Sequence, residues 1–348
     1  MAQKSDSMIN WIKHLPKTEI HLHVEAVVRF KTFMELNQKY NIDSSLVTID
    51  DYKNRMNFNN LSEMIQYFLH LQTFFRDEDD YLLMTNDLLN YALNNNIYYM
   101  EIFFSPSKLI KLGYVDFFKI MDLFITTFDN MQEIYNIDVR VIIDVSRSFG
   151  AKNAMNNLNL LLKYLRKTPN KRFIGIGLGG AEKGNNCVDY KQVFARAKKH
   201  DLHLVAHAGE EVNSRSIWDA IHVLKVERIG HGTSAIYDEE LISYLTECKI
   251  PLEVCPTSNI ITKKYVQAIT EHPIRQFYDS GVVVTLNTDD PLLFDINLNR
   301  EYFKLYKFLH FSKADLIQIA KNGLYATFLS TEEKDRYWEM VEKALDSM

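Results

Sequence analysis

Two histidines one residue apart, His21 and His23, lie in the apolar run Ile20-His-Leu-His-Val24. In an extended strand, residues i and i+2 point to the same face, so both imidazoles can reach one ion. A third histidine follows in Val205-Ala-His207-Ala-Gly209-Glu210, where Gly209 allows a tight turn and Glu210 comes at once. A fourth sits between glycines in Arg228-Ile-Gly230-His231-Gly232, which permits close approach of backbone or ligand. Two adjacent acids, Asp289 and Asp290, end the run Val282-Val-Val-Thr-Leu286-Asn-Thr and precede Pro291. Each motif alone has a plainer reading. His21 and His23 suit hydrogen-bonded core residues, His207 and Glu210 a salt-bridged loop pair, and His231 a Gly-rich turn. Asp-Asp-Pro suits a helix start, with Asp at the N-cap and Pro in the first helical position. Together they are four strand ends, each offering a metal ligand or an acid–base group. Imidazole nitrogen with carboxylate oxygen suits Zn²⁺, and Fe²⁺ or Mn²⁺ are also compatible.

The elements that must position these residues are short apolar runs alternating with helical stretches. Eight strands are expected: Glu19–Glu25, Tyr98–Phe104, Val139–Val145, Phe173–Leu178, His203–Ala206, Glu227–Gly230, Leu252–Cys255 and Val282–Leu286. Strands this apolar are buried on both faces, as in a parallel sheet with helical crossovers. Eight such units favour an α/β fold of the (β/α)8 TIM-barrel type over an open sheet, with chemistry at the C-terminal strand ends. The first crossover is extended. From Phe30 to about Phe75 it carries Leu61, Ile65, Phe68, Leu69 and Phe75 at near-helical spacing, which suits a core-facing helix or a lid over the barrel mouth. Additional helices are expected from about Lys313 to Ser347. No linker, repeat or low-complexity tract divides the chain, so residues 1–348 are expected to form a single domain, with residues 1–10 flexible because the start is polar.

A chain of 348 residues can bury a sizeable core, and 47% hydrophobic with 24% charged residues is a globular balance. The net charge of -5 gives no electrostatic reason to expect nucleic acid or an anionic membrane as partner. No run reaches the roughly 18 apolar residues that span a bilayer, and no targeting signal is visible. The expectation is a cytoplasmic protein acting on a small molecule, with its oligomeric state open. Cys187, Cys248 and Cys255 match neither a disulfide framework nor a C-x-x-C site, and Cys255 in Pro251-Leu-Glu-Val-Cys255 reads as a buried free thiol in a reducing compartment.

The runs Thr18-Glu-Ile-His21-Leu-His23-Val-Glu25, Ile174-Gly-Ile-Gly-Leu-Gly-Gly180-Ala-Glu182, His207-Ala-Gly-Glu210, Glu227-Arg-Ile-Gly-His231-Gly, Glu253-Val-Cys-Pro-Thr-Ser-Asn259 and Leu286-Asn-Thr-Asp289-Asp290-Pro resemble the adenosine deaminase family. They stand in family order from His21 to Pro291. The resemblance implies one zinc per chain, held by His21, His23, His207 and Asp289 with water as fifth ligand. It implies Glu210 as proton shuttle to ring N1, His231 as the residue orienting the water and helping to deprotonate it, and Asp290 as acceptor for N7. The backbone of Gly180 would bind N3. Zinc lowers the pKa of water to about 7, and protonation of N1 prepares C6 for attack. His231 would stabilise the developing charge. Ammonia leaves and a 6-oxopurine remains. The implied activity is zinc-dependent hydrolytic deamination of a 6-aminopurine, adenosine or deoxyadenosine first, with aminodeoxyfutalosine or free adenine as alternatives.

One motif departs from the family. Glycine commonly follows the acid of the first motif, whereas this chain reads Glu25-Ala26-Val27. Many nucleoside-specific members carry Asp where this chain has Glu25, a position that approaches the ribose. Glutamate there also resembles adenine and aminodeoxyfutalosine deaminases, so Glu25 joins His23, Gly180 and Asp290 as a substrate-binding candidate. Ser146-Arg147-Ser148 could serve the distal end of a substrate, or Arg147 a structural salt bridge. A two-metal hydrolase would need a bridging Lys or Glu at the end of the fourth strand. That strand ends Gly177-Leu-Gly-Gly180, with Glu182 and Lys183 farther on. The complete ligand set, with Glu210 and Asp290, argues against a non-catalytic relative. Cytidine-type deaminases use a C-x-x-C that is absent here, and Glu25 near the 5′ end would repel the phosphate of AMP.

Overall fold

Strands whose residues are apolar on both faces pair in parallel, because helices cover one side and the barrel interior the other. The structure, a computed structural model, describes residues 2–347. Its strands are β1 (Lys17–His23), β2 (Ile97–Phe104), β3 (Asp138–Asp144), β4 (Phe173–Leu178), β5 (His203–Ala208), β6 (Arg228–His231), β7 (Leu252–Val254) and β8 (Val284–Leu286). They form one sheet in sequence order, every registered pair parallel. The seam closes just past β8. Asp289 N donates to His21 O at 3.1 Å, His23 N donates to Asp289 O at 2.9 Å, and Ile20 N donates to the Asn287 Oδ1 at 3.0 Å. The expected (β/α)8 barrel is therefore the observed fold. Phe173–Leu178 has the expected bounds, β1 starts and ends two residues earlier than expected, and β8 loses Val282 and Val283.

The extended first crossover contains helices Phe30–Tyr40, Ile49–Arg55 and Leu61–Leu71 before the long helix Glu78–Asn95. The stretch expected to be flexible over residues 1–10 lies in helix Ala2–His14, with Met8 and Ile12 buried; Met1 falls outside the described residues. The C-terminal stretch forms two helices, Lys313–Tyr325 and Thr331–Asp346, each opened by a serine capping box. The first packs on β1 and β8, over the seam. Cys187 and Cys255 are buried free thiols and Cys248 is exposed. Among the described residues no helix is long and apolar enough to cross a membrane.

The main core lies between the strands and the outer helices, and a smaller cluster of Phe103, Ile142 and Val205 is backed by Phe328. Beside it is a buried ion network. Arg228, the first residue of β6, donates to Glu253 Oε1 and to Glu101 Oε2, each at 2.5 Å, and to Ala326 O at 2.9 Å. Glu101 also accepts from Tyr99 Oη at 2.9 Å and from Phe328 N at 2.6 Å. The guanidinium lies 3.8 Å from the centre of the Phe328 ring. The segment between the last two helices is thus stitched to β2 and β6. Arg228→Leu would leave two carboxylates buried without their cation, and a lone buried charge is far costlier than the intact network. We expect it to lower unfolding free energy by roughly 3–5 kcal/mol, read as a shifted urea midpoint.

Candidate active site

The side chains singled out in the sequence converge at the C-terminal strand ends. His21 and His23 are at the end of β1, His207 is near the end of β5, His231 ends β6, and Asp289 and Asp290 follow β8. All six are buried. Phe103 lies against three of the rings, its centroid 4.9 Å from that of His21, 5.2 Å from His23 and 5.5 Å from His207. His231 and Asp289 have φ of 62° and 65°, the left-handed region that costs a non-glycine residue about 1–3 kcal/mol. Gly230 makes room for His21, since a Cβ there would lie 2.8 Å from His21 Cε1.

His21 Nδ1 donates to Glu253 Oε2 at 2.7 Å, which turns Nε2 inward. That nitrogen is 3.3 Å from Asp289 Oδ1, and His23 Nε2 is 3.4 Å from the same oxygen. His21 Nε2 and His207 Nε2 are buried without a hydrogen-bond partner. Two ligands about 2.0–2.1 Å from one tetrahedral ion stand roughly 3.3–3.4 Å apart, the spacing seen here. Ligand atoms of His21, His23 and Asp289 lie within 4.8 Å of one another. So do those of His21, His207 and His231, and those of His231, Cys255 and Asp289. Lone pairs gathered around a carboxylate are mutually repulsive until a cation lies among them, so this donor set fits a divalent metal. Burial disfavours a charged His21 ring, but the adjacent Asp289 and Glu253 carboxylates outweigh that and push its pKa up to about 10, so a bound metal would take the place of a proton at Nε2. The same cluster pulls Asp289 well below the usual carboxylate range against its burial, through His21 first and then the charges of the other rings. Ser258 Oγ donates to Asp289 Oδ2 at 2.7 Å.

Glu210 and Asp290 behave oppositely. Burial, then the charges of Asp289 and Glu182, raise Glu210 well above the carboxylate range, so its protonated form is favoured. Glu210 Oε2 lies 3.5 Å from His231 Nε2, and Oε1 has no partner. Asp290 is raised by burial and by Asp289. It precedes helix Pro291–Phe294, yet its side chain makes no capping bond and Oδ1 is unpartnered, so the helix-start reading does not account for this acid. Burial lowers His231 to about 3, leaving a neutral imidazole.

These groups line a cavity with about 540 Å³ of empty space. Its roof is helix Leu61–Leu71, which contributes Leu61, Met64, Ile65, Phe68 and Leu69. The helix expected as either core or lid buries Leu61, Met64 and Leu71 and covers the cavity. Gly180 lines the cavity at φ +86°, and a Cβ there would stand 2.7 Å from Ser146 Oγ. The polar lining also includes Gln72, Ser105, Ser107, Asp144 and Ser146. Glu25 does not line it: its Oε1 accepts from Ser105 N at 2.8 Å and Gln72 Nε2 at 2.9 Å, and its buried Oε2 is unpartnered. Asp144, which sequence reasoning passed over, accepts from Ser105 Oγ at 2.8 Å and Gly179 N at 2.7 Å. Burial raises both acids, Glu25 to about 7. Arg147 meets no carboxylate and does not line the cavity. It donates to Leu178 O at 3.1 Å and His207 O at 2.8 Å, tying β4 to β5.

Sequence reasoning also missed Glu253, Ser258 and Asn259 as partners of the inner groups, although their run was among the motifs quoted above. It missed the role of Glu182 as well. This buried carboxylate accepts from Gly209 N (2.8 Å), Glu210 N (3.0 Å), Glu211 N (2.9 Å), Val212 N (3.3 Å) and the Ser216 hydroxyl. It fixes the loop that carries Glu210.

The family model described as "Adenosine deaminase" matches residues 16–344. The chain belongs to the adenosine deaminase family. This deaminase is 32% identical to an adenine deaminase of Crocosphaera subtropica, over 94% of its own length and 98% of the relative's. It is 33% identical to an aminodeoxyfutalosine deaminase of Streptomyces avermitilis, over 96% and 92%. Among solved structures, an adenine deaminase from Arthrobacter aurescens superposes with a TM-score of 0.89 at 26% identity, covering 95% of this chain and 99% of that one. The chain is a hydrolytic deaminase.

Glu182→Ala in this deaminase frees four consecutive amides. We expect faster hydrogen exchange at residues 209–212, unchanged exchange in β4 and β5, and a stability loss of at least roughly 1–3 kcal/mol, the cost of one buried donor left unmade.

Proposed function

We propose that this deaminase hydrolyses the 6-amino group of adenine, giving hypoxanthine and ammonia with a divalent metal, zinc by donor type, held by His21, His23, His207 and Asp289. The observation that carries the substrate is the cavity wall formed by Gln72, Ser105 and Asp144. Helix Leu61–Leu71 roofs the cavity, and Glu25 is bonded to Gln72 and Ser105. The buried Asp144 carboxylate there, with Glu25 behind Ser105, suits a hydrogen-bond donor such as the ring N9–H and opposes a phosphate. Both the Crocosphaera relative and the Arthrobacter structure are named for adenine. A second reading, aminodeoxyfutalosine, is supported by the 33% identical Streptomyces relative. The earlier expectation of adenosine or deoxyadenosine has less support, because neither curated relative described above is named for a simple nucleoside.

When bound, the metal supplies Lewis-acid activation of the attacking water. The remaining work falls to the chain. The narrow cavity orients the flat ring with C6 toward the histidines. Glu210, favoured in its protonated form, gives its proton to N1, which draws electrons from C6. Asp290, also favoured as the neutral acid, donates a hydrogen bond to N7, which carries no hydrogen when N9 does. The backbone at Gly180 faces N3. His231, neutral and beside Glu210, orients the water.

Ammonia release from metal-loaded protein on adenine, aminodeoxyfutalosine, adenosine, deoxyadenosine and AMP tests the substrate. Adenine should turn over fastest and AMP not at all; faster turnover of adenosine would overturn the assignment. Glu210→Gln should keep its metal and lose roughly 10²–10⁴-fold in kcat, the usual worth of a general acid. Asp289→Ala should lower bound metal, measured by elemental analysis, as well as rate; full occupancy would remove it from the ligand set.

A further inference from the structure

His231 stands at the end of a line of hydrogen bonds that begins at a backbone amide. Ile274 N donates to His272 Nδ1 at 3.1 Å. An amide nitrogen can only donate, so His272 Nδ1 carries no proton. His272 is buried and neutral, pushed down to about 3 by burial and by His231, so its proton is on Nε2. That nitrogen is 3.1 Å from Asn259 Oδ1 and donates to it. Asn259 is thereby turned with its NH₂ toward His231 Nδ1, at 3.1 Å. His231 Nδ1 accepts, and the one proton of the neutral ring is on Nε2. Nε2 faces the cavity, 3.5 Å from Glu210 Oε2 and 4.0 Å from Asp289 Oδ2. No other direction of these bonds satisfies the backbone donor. Asn259 is 2% exposed and His272 3%, so water does not offer either an alternative partner.

We infer that His272, acting through Asn259, is a positioning residue that locks His231 in the Nε2–H form, so that His231 meets the reacting oxygen as a hydrogen-bond donor. A neutral ring locked this way has no lone pair toward the cavity. It cannot take the first proton from water, which passes instead to the Glu210 carboxylate left once that residue has given its own proton to N1. It holds the incoming oxygen by donation and stabilises the charge that develops as that oxygen bonds to C6. This deepens the reading under Proposed function and rests on it for the identity of the reacting oxygen. It replaces the expectation that His231 helps to deprotonate the water. His272 was not singled out in the sequence because it lies beyond the recognised motifs, in Glu271-His-Pro273, a short turn between β7 and β8.

The test compares His272→Leu, which cannot donate, with His272→Gln, whose side-chain NH₂ can again donate to Asn259 Oδ1. Ring nitrogens of ¹⁵N-histidine-labelled protein report the tautomer directly by NMR and need no substrate. Wild type should show His231 protonated at Nε2. In His272→Leu, Asn259 is free to reverse, and the His231 signal should move to the Nδ1–H form, with kcat down roughly 10–100-fold and KM and metal content near wild type. His272→Gln should restore the Nε2–H signature and most of kcat. Asn259→Asp, which places an acceptor against His231 Nδ1, should produce the Nδ1–H form without touching His272 and serves if His272→Leu does not fold. An unchanged tautomer in both His272→Leu and Asn259→Asp overturns the inference, as does a kcat loss in His272→Gln as large as in His272→Leu with the Nε2–H form retained. Failure of the substrate assignment appears elsewhere, as absent turnover of adenine by wild type with the tautomer signature intact.

Discussion

A group of imidazoles and carboxylates shut away from water at one end of the barrel is the constraint on which the rest of this structure depends. Each buried charge carries a desolvation cost of several kcal/mol unless something compensates it. Here the compensation is directional. The outer face of three of the inner groups is bonded to a second residue, and that bond decides what the inner face presents: Glu253 on His21, Ser258 on Asp289, Asn259 on His231. Phe103 fills the space beneath three of the rings, which keeps water out and the rings upright. The outcome is a set of inward lone pairs that suits a cation, next to two acids, Glu210 and Asp290, for which the same dryness favours the protonated form.

The barrel meets this demand through its seam. Asp289 closes the sheet by exchanging backbone hydrogen bonds with β1, so the residue that completes the candidate metal site also completes the barrel. Its left-handed backbone, like that of His231, is held against its own preference by the strands on either side. Lower in the barrel the Glu101–Arg228–Glu253 network links the C-terminal segment to Glu253, and Glu253 orients His21. The last helices are therefore continuous, through ion pairs and hydrogen bonds, with the site.

Different surroundings separate reaction from specificity. The reacting groups sit on strand ends, which are stiff, and Glu182 extends that stiffness to the Glu210 loop by accepting four successive amides. The rest of the cavity wall comes from the first crossover and from the ends of β2 and β3. Helix Leu61–Leu71 lies on the cavity as an amphipathic segment with exposed polar residues outside, and Ser105 bridges Glu25 and Asp144.

The eight strands, their parallel order and seven of the side chains that gather at the candidate site were legible in the chain because both signals are local. Apolar runs of strand length mark β1 to β8, and His-x-His, Gly-His-Gly and Asp-Asp-Pro each occur within a few residues. Strand limits moved by up to two residues, since pairing with neighbours decides where a ladder ends. Partnerships over long separations were not legible. Glu253 reaches His21 across 232 positions, and Asp144 became a cavity acid only when β3 was placed beside β4 and the loop after β2. Whether Asp290 caps its helix or faces the cavity could not be told from Asp-Asp-Pro, because the two readings share a sequence and differ only in where the side chain points. The sequence by itself determined the kind of chemistry, which depends on residue types and short spacings. The protonation form of each group, and the shape of the space before it, were decided by the tertiary structure alone, because both depend on which distant side chain ends up on the other face.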